Sequence, residues 1–362
     1  MRPLAERAIE LDRKDPIANT AARDAHVVPS PARVRGVVRN VLAHLGPDFT
    51  LFILCATALA VVGQLFGAHY VLRLSTFLLP GLVAPGFIIV HFLRRPVAIV
   101  QARPGARAHF WRESRKSVRD WIPLVLVAVT FDNLENYTGL VRKTTIDASL
   151  YNIDLRLFGV EPTVWIKRFY NPLLTDWMAS CYAIFLVVPM FLAIMLSLRG
   201  RRDDFREIAN GVMLQMWIAF FVFICLPAGP PRYFAPLRQG AFAQPLPSWL
   251  GLNAALQAKW DTYSPLLVRA SFPSLHCAYG MLTLICAWRL GSGVFPRWPR
   301  LFFWLVLPVE LTLFVSTVYL RHHWIPDCVA GMTLAVIACL LARWVRRNWP
   351  AVRPAEPRLL RA

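Results

Sequence analysis

The sequence has little charge, and very little of that charge is negative. Only 17% of the 362 residues are charged, and 40 Lys and Arg residues stand against 21 Asp and Glu residues, for a formal net charge of +19. Soluble domains average about 25% charged residues. With 56% hydrophobic residues and a mean hydropathy of +0.45, the composition argues against a soluble domain and predicts an all-α protein that crosses a membrane several times.

The chain also lacks the pattern of a nucleic-acid-binding protein, in which basic and aromatic residues alternate along one face. Its arginines cluster between apolar runs instead, where basic loops face the cytoplasm and meet anionic lipid. We therefore expect a membrane-embedded protein with no nucleic-acid partner.

The seven cysteines form no Cys-x-x-Cys pair. All lie in or beside apolar runs, which is typical of small buried side chains and argues against a zinc site and a disulfide scaffold. A cleavable signal peptide is not expected, because the first apolar run begins only near Phe49. We predict no cofactor and no metal site.

Apolar runs long enough to span a bilayer, which takes roughly 20 helical residues, recur through the chain. Eight crossings are predicted, at about 49–64, 77–92, 121–140, 174–198, 207–226, 274–290, 301–320 and 324–345. They divide the chain into a basic tail with short amphipathic helices (1–48), two accessory spans followed by a basic segment (49–119), a transmembrane domain with the other six spans (120–345) and a second basic tail (346–362).

Arginine placement predicts the orientation of these spans. The two tails, the basic segment 94–119 and the turns at 199–202 and 297–300 all fall on one side, which the positive-inside rule assigns to the cytoplasm. The long loops 141–172 and 227–272 fall on the other side, and loops of that length usually carry function. We expect one or two interfacial helices in the first of them. The bias towards Arg, Ala and Pro indicates a bacterium, in whose inner membrane this side would face the periplasm. In a eukaryote it would face a lumen.

Polar residues that suit chemistry collect at the outward face. His323 and Asp327 stand four residues apart and share one face of a helix. A carboxylate there can hold one imidazole nitrogen and leave the other free to attack. Ser274 fits a helix N-cap, with His276 two residues further on.

Three arginines, Arg232, Arg269 and Arg321, lie in the same outward segments, and the free N–H groups of a helix N-terminus attract anions as well. Two histidines, an aspartate and arginines at one depth predict phosphoryl transfer without a metal ion. His323 would attack a phosphodiester to form a phosphohistidine, and His276 would protonate the departing alkoxide. The arginines would neutralise the equatorial oxygens.

Plainer interpretations compete with this one. A single histidine at a membrane interface more often anchors a helix, and a single arginine more often binds a lipid headgroup. We place His322 in a supporting or surface position. Four acidic residues could bind a polyol headgroup, although hydrogen-bonded caps are the more frequent explanation: Asp132, Glu135, Asp147 and Asp154.

The motifs resemble those of the phosphatidic acid phosphatase type 2 superfamily. Pro273-Ser274-Leu275-His276 matches its Pro-Ser-Gly-His motif with Leu for Gly. Ser316, His323 and Asp327 match its third motif in register, but Thr317 stands where the family has an arginine. The family's first motif, a Lys followed later by Arg-Pro, is not present as such, and Gly229-Pro230-Pro231-Arg232-Tyr233 occupies its place.

These departures are similar to the transferase branch of that superfamily, the inositol phosphorylceramide synthases, which carry Phe-Pro-Ser-Leu-His and Tyr-Leu-x-His-His-x-x-x-Asp patterns. The resemblance covers residues 120–345 and implies a six-helix core. It also implies that His323 is the nucleophile, Asp327 its partner and His276 the acid and base. Phosphate binding falls to Arg232 and Arg321, with Ser274 beside them and Arg269 in reserve.

The implied reaction moves a phosphoalcohol headgroup, inositol phosphate, from a phospholipid donor to a lipid hydroxyl such as that of ceramide. Two alternatives stay open. The same site with water as acceptor would make a lipid phosphate or polyprenyl diphosphate phosphatase. In a transporter or membrane scaffold the outward histidines would only bind a ligand.

Overall fold

The computed structural model describes residues 31–67, 106–134, 137–263 and 269–350. Within those ranges the regular secondary structure is helical, and the β-structure is one isolated bridge between Ala228 and Ala270, so the all-α prediction is confirmed. The helices are α1 (Pro31–Phe66), α2 (Ala106–Asp132), α3 (Asp147–Phe158), α4 (Pro162–Trp165), α5 (Pro172–Ala183), α6 (Val187–Leu198), α7 (Arg202–Cys225), α8 (Ala235–Gln239), α9 (Leu252–Tyr263), α10 (Leu275–Leu290), α11 (Leu301–Tyr319) and α12 (Ile325–Asn348).

The chain divides within α1 into two compact units. Gly46 interrupts this helix with φ 78° and ψ 166°, a backbone conformation that glycine adopts readily. The smaller unit comprises Met1–Leu45 and Pro350–Ala362, and the structure describes its helical residues 31–45 and Pro350. The predicted tails before residue 31 and after residue 350 lie outside the described residues.

The larger unit, Gly46–Trp349, contains six packed helical elements: α2, the pair α5–α6, α7, α10, α11 and α12. Helix α7 packs against α2, α6, α10 and α12, and α10 packs against α11 and α12 as well. Large apolar side chains such as Trp121, Trp217 and Phe220 are fully buried among these helices. This arrangement agrees with the six-helix core that the sequence motifs imply.

Four described helices are long and apolar enough to cross a membrane: Arg35–Phe66, Arg202–Cys225, Leu301–Tyr319 and Ile325–Asn348. A fifth span results if α5 and α6, which bend by 40° at a short break, count as one. The multi-pass prediction is therefore confirmed, although eight crossings were predicted. The predicted third span belongs to α2, which begins in the basic segment at Ala106, and α10 has only 16 residues. The predicted span 77–92 lies outside the described residues.

A close backbone contact joins the N-terminal ends of α10 and α12. An added Cβ on Gly331 of α12 would collide with the carbonyl oxygen of Ser274, which caps α10. The Ser274 N–H also donates to the carbonyl oxygen of Asp327 over 3.0 Å, in the first turn of α12. The two helix ends that carry the histidine motifs are thus held side by side.

Candidate active site

The two histidines predicted to act together lie in contact. His276 stands in the first turn of α10, and His323 lies in the corner between α11 and α12. The distance from His323 Nε2 to His276 Nδ1 is 3.4 Å, and the ring centroids are 5.5 Å apart. The packing of α10 against α12 therefore gives both imidazoles one common centre, as the predicted mechanism requires.

The other side of the His323 ring faces a serine and a carboxylate. His323 Nδ1 lies 3.1 Å from Ser271 Oγ and 3.3 Å from Asp327 Oδ2. Ser271 Oγ donates its only proton to Asp327 Oδ2 over 2.7 Å. The His323 proton is accordingly assigned to Nδ1, because that nitrogen faces acceptors. Nε2 is left as a lone pair directed towards His276.

Asp327 is itself oriented by the backbone. Its Oδ2 accepts the N–H of Trp324 over 3.2 Å, which closes a capping box at the start of α12. Both Asp327 and Ser271 are buried. A buried carboxylate whose Oδ2 is held by a backbone N–H and a serine hydroxyl can hold the imidazole in one tautomer and stabilise its positive charge during attack.

An aromatic side chain that the sequence analysis missed organises the site. Tyr182 stacks on His276 with 4.1 Å between centroids and on His322 with 4.4 Å, and its hydroxyl lies 3.4 Å from His276 Nδ1. Phe185 packs on His276 at 4.1 Å. Tyr182 lies in the last turn of α5, and Phe185 lies in the break between α5 and α6. An aromatic residue in an apolar run carries no sequence signal of this role.

His322 is buried, with 3% of its surface exposed, so a surface position is ruled out. Its Nδ1 contacts Arg232 Nη1 and must be the acceptor, because a guanidinium only donates. Burial first, and then the charge of Arg232, lower the pKa of His322 well below its usual value. His322 is therefore neutral, and it holds Arg232 beside the histidine pair.

The remaining predicted phosphate ligands have other partners. Arg321 adopts a left-handed backbone conformation with φ 64°, and its guanidinium donates to Tyr170 Oη over 3.3 Å and to the Gln244 carbonyl over 3.0 Å. The Arg269 guanidinium lies beside Gly139. Ser274 Oγ accepts the N–H of Cys277 over 3.2 Å, as an N-cap does.

Thr317, which replaces the family's arginine, is fully buried. Its hydroxyl donates to the carbonyl oxygen of Phe314 over 2.7 Å. Its own carbonyl oxygen accepts the N–H groups of His322 and His323 over 2.9 and 3.0 Å. The residue thus anchors the backbone of the histidine corner, and Arg232 is the guanidinium that contacts a histidine of the site.

Two carboxylates of α3 hold the segments around the site. Asp147 Oδ1 accepts the N–H of Gly229 over 2.7 Å, and Asp154 Oδ2 accepts the N–H of Ile325 over 3.3 Å. Burial raises the pKa of both, to about 7 in Asp154. Both carboxylates thus bind backbone N–H groups of other segments, and the helix that begins at Asp147 has no side-chain cap.

Among the residues that the structure describes, no group of three or more His, Cys, Asp and Glu side chains is placed to hold a metal ion. His323 Nε2 faces His276 Nδ1, which also lies near the Tyr182 hydroxyl, and Arg232 contacts the neighbouring His322. Donor groups of these kinds suit an anionic oxygen.

Comparison with known proteins agrees with these motifs. A family model described as the PAP2 superfamily matches residues 149–341, more than half of the chain. The curated relative "Inositol phosphorylceramide synthase catalytic subunit aur1" of Schizosaccharomyces pombe is 39% identical over 80 residues, which are 22% of this chain and 17% of the relative. The match thus spans about a sixth of that relative's length. No solved structure matches.

Proposed function

The chain belongs to the PAP2 superfamily, and from this premise we propose that it is a membrane phosphotransferase. In this proposal it moves a phosphoalcohol headgroup, inositol phosphate from phosphatidylinositol, to a lipid hydroxyl such as that of ceramide. The observation that carries the proposal is the His323 ring, whose Nδ1 faces Ser271 and Asp327 while its Nε2 meets His276.

In the first step the lone pair of His323 Nε2 attacks the phosphorus of the donor phosphodiester. The bond from phosphorus to the diacylglycerol oxygen breaks, and His276 gives that oxygen a proton. Asp327 stabilises the imidazolium that forms on His323. In the second step His276 takes the proton of the acceptor hydroxyl, whose oxygen attacks the phosphohistidine and frees His323.

Arg232 is the group that we expect to neutralise the phosphoryl oxygens. Its guanidinium contacts His322, and His322 and His276 stack on the same tyrosine. An entering phosphoryl group would replace the 3.4 Å contact between His323 Nε2 and His276 Nδ1. Because guanidinium groups supply the positive charge, this mechanism needs no metal ion.

We further propose that the site faces the periplasm of a bacterial inner membrane and that both termini are cytoplasmic. Arginine-rich turns support this orientation. Arg199 donates to the Val294 carbonyl over 2.8 Å and Arg201 donates to Ser292 Oγ over 2.7 Å, so the two predicted cytoplasmic turns meet. The histidines lie at the opposite ends of the helices.

The test uses purified protein in detergent micelles with phosphatidylinositol labelled in the inositol ring, in the presence and absence of ceramide. We expect labelled inositol phosphorylceramide only when ceramide is present, at a rate that a chelator leaves unchanged. Release of free inositol phosphate alone would identify water as the acceptor and the enzyme as a lipid phosphodiesterase instead of a transferase. Failure to consume the donor would overturn the assignment of phosphatidylinositol.

A further inference from the structure

Asp154 takes no part in the proposed reaction, but its carboxylate binds the backbone of Ile325, two residues after the nucleophile His323. We propose that Asp154 is a positioning residue for His323, acting through the backbone of Ile325 at the start of α12. This inference rests on the proposed function, because it gives His323 the role of nucleophile.

The first observation is where the Asp154 carboxylate ends. Asp154 is completely buried, and its Oδ2 accepts the N–H of Ile325, which lies between His323 and Asp327. Its other oxygen, Oδ1, is buried with no hydrogen-bond partner in the described part of the chain. Asp154 thus binds Ile325, which belongs to the same turn as His323 and Asp327.

The second observation is that α3 makes a matching contact two turns earlier. Asp147 accepts the N–H of Gly229, three residues before Arg232. The segments of Gly229 and Ile325 also contact each other, since Trp324 Nε1 donates to the Gly229 carbonyl over 3.0 Å. Tyr151, between the two aspartates, packs edge-on against Trp324 at 6.2 Å. Helix α3 therefore ties the segment of Arg232 to the segment of His323.

The role proposed for Asp154 depends on its hydrogen-bond acceptor, and an Asn side chain at this position could accept the same N–H. The carboxylate also lies within electrostatic reach of Asp327, and both sit at a helix N-terminus, which stabilises negative charge. The hydrogen bond between Asp154 and Ile325 would keep the turn that contains His323 rigid while its imidazole becomes positive. Rigidity matters because a small displacement of a reacting group lowers the reaction rate strongly.

The test compares Asp154→Asn, which keeps an acceptor, with Asp154→Ala, which removes it, and Asp154→Glu, which displaces it. Asp176→Ala is the matched control. Asp176 is also buried and accepts backbone N–H groups, those of Trp249 and Leu250 at 2.9 and 3.0 Å, but in another loop. Two readouts are taken: turnover of labelled phosphatidylinositol, and the rate at which diethyl pyrocarbonate acylates His323, measured by mass spectrometry of the His323 peptide.

For Asp154→Ala we expect kcat to fall about 30-fold or more with KM within about threefold, since a misplaced catalytic group mainly affects the chemical step. Acylation of His323 should change by at least about threefold as the corner loosens. Asp154→Glu should fall between, and Asp154→Asn should restore both readouts to within about threefold of the wild type.

Equal effects of Asp154→Ala and Asp176→Ala on both readouts would overturn the proposal and leave Asp154 a structural residue. The acylation readout needs no lipid. It therefore decides the matter even if phosphatidylinositol proves not to be the donor, and the two failures stay distinguishable. If Asp154→Ala does not fold, Asp154→Glu gives the same comparison with the charge retained.

Discussion

The two ends of the helix bundle use the same side chains in different ways. At the arginine-rich end, arginines bind carboxylates: Arg206 lies 3.3 Å from Asp120, Arg346 lies 3.1 Å from Glu207, and Arg289 pairs with Glu207 as well. At the histidine end, Arg232 contacts His322 and Tyr233, and Arg321 contacts a phenol, a carbonyl oxygen and the Phe242 ring.

The carboxylates differ in the same way. At the histidine end, Asp147, Asp154 and Asp327 accept backbone N–H groups instead of guanidinium groups. At the arginine-rich end, ion pairs between arginines and carboxylates connect neighbouring helices and stabilise their packing. At the histidine end the guanidinium groups contact an imidazole, phenol groups and a carbonyl oxygen, and an approaching anion would meet their positive charge.

The largest expected contrast follows from removing the nucleophile. In His323→Gln we expect turnover to fall by about 10⁴-fold or more, because no phosphoenzyme can form. The melting temperature should change little, because Ser271 and Trp324 still bond to Asp327. Turnover above about 1% of the wild-type rate would contradict a covalent mechanism and favour a ligand-binding role for the histidines.

Exchanging one arginine at each end tests the contrast directly. Arg232→Gln should lower kcat/KM by about 10²- to 10³-fold, since it removes a charge that stabilises the phosphoryl oxygens. The matched variant at the other end, Arg289→Gln, should lower the melting temperature and keep kcat/KM within about twofold, because breaking a partly buried ion pair destabilises the fold. Kinetics and thermal melts of both proteins give the comparison, and equal kinetic losses would refute it.

The smallest effect is a pH dependence of stability. Burial raises the pKa of Asp154 from its ordinary value to about 7, with Glu161 and Asp327 as its charged neighbours. The folded state thus favours the protonated form, so this contribution to stability is complete in acid and is lost as the pH rises through about 7. Between pH 5.5 and 8.5 we expect the melting temperature to fall by a few degrees.

In Asp154→Asn this decline should be smaller, because the amide does not titrate. Asp147 and Glu161, whose pKa values burial also raises, supply the remainder. An unchanged slope in Asp154→Asn would show that the Asp154 carboxylate is not protonated at the lower pH.

The helices were predictable where apolar runs are long. The predicted spans 207–226, 301–320 and 324–345 correspond closely to α7, α11 and α12. The span 174–198 is instead two helices, because the chain breaks between Ala183 and Val187. Hydropathy cannot show such a break, since every residue in it is apolar.

The candidate site was predictable where residues stand close in sequence. His323 and Asp327 share a helix turn, and Ser274 caps the helix of His276, so local spacing revealed both. Tyr182 and Ser271 reach the histidines only through tertiary packing. The direction of the Arg321 side chain depends on a left-handed turn, which the surrounding sequence does not announce.

The absence of a side chain at Gly331 affects the distance between the two imidazole rings. His276 and His323 belong to different helices, and the interval between those helices is set where Gly331 touches Ser274. A single methyl group at residue 331 would push α10 and α12 apart and lengthen the distance between the His276 and His323 rings. The spacing of the two proposed catalytic histidines thus depends on a residue that has no side chain.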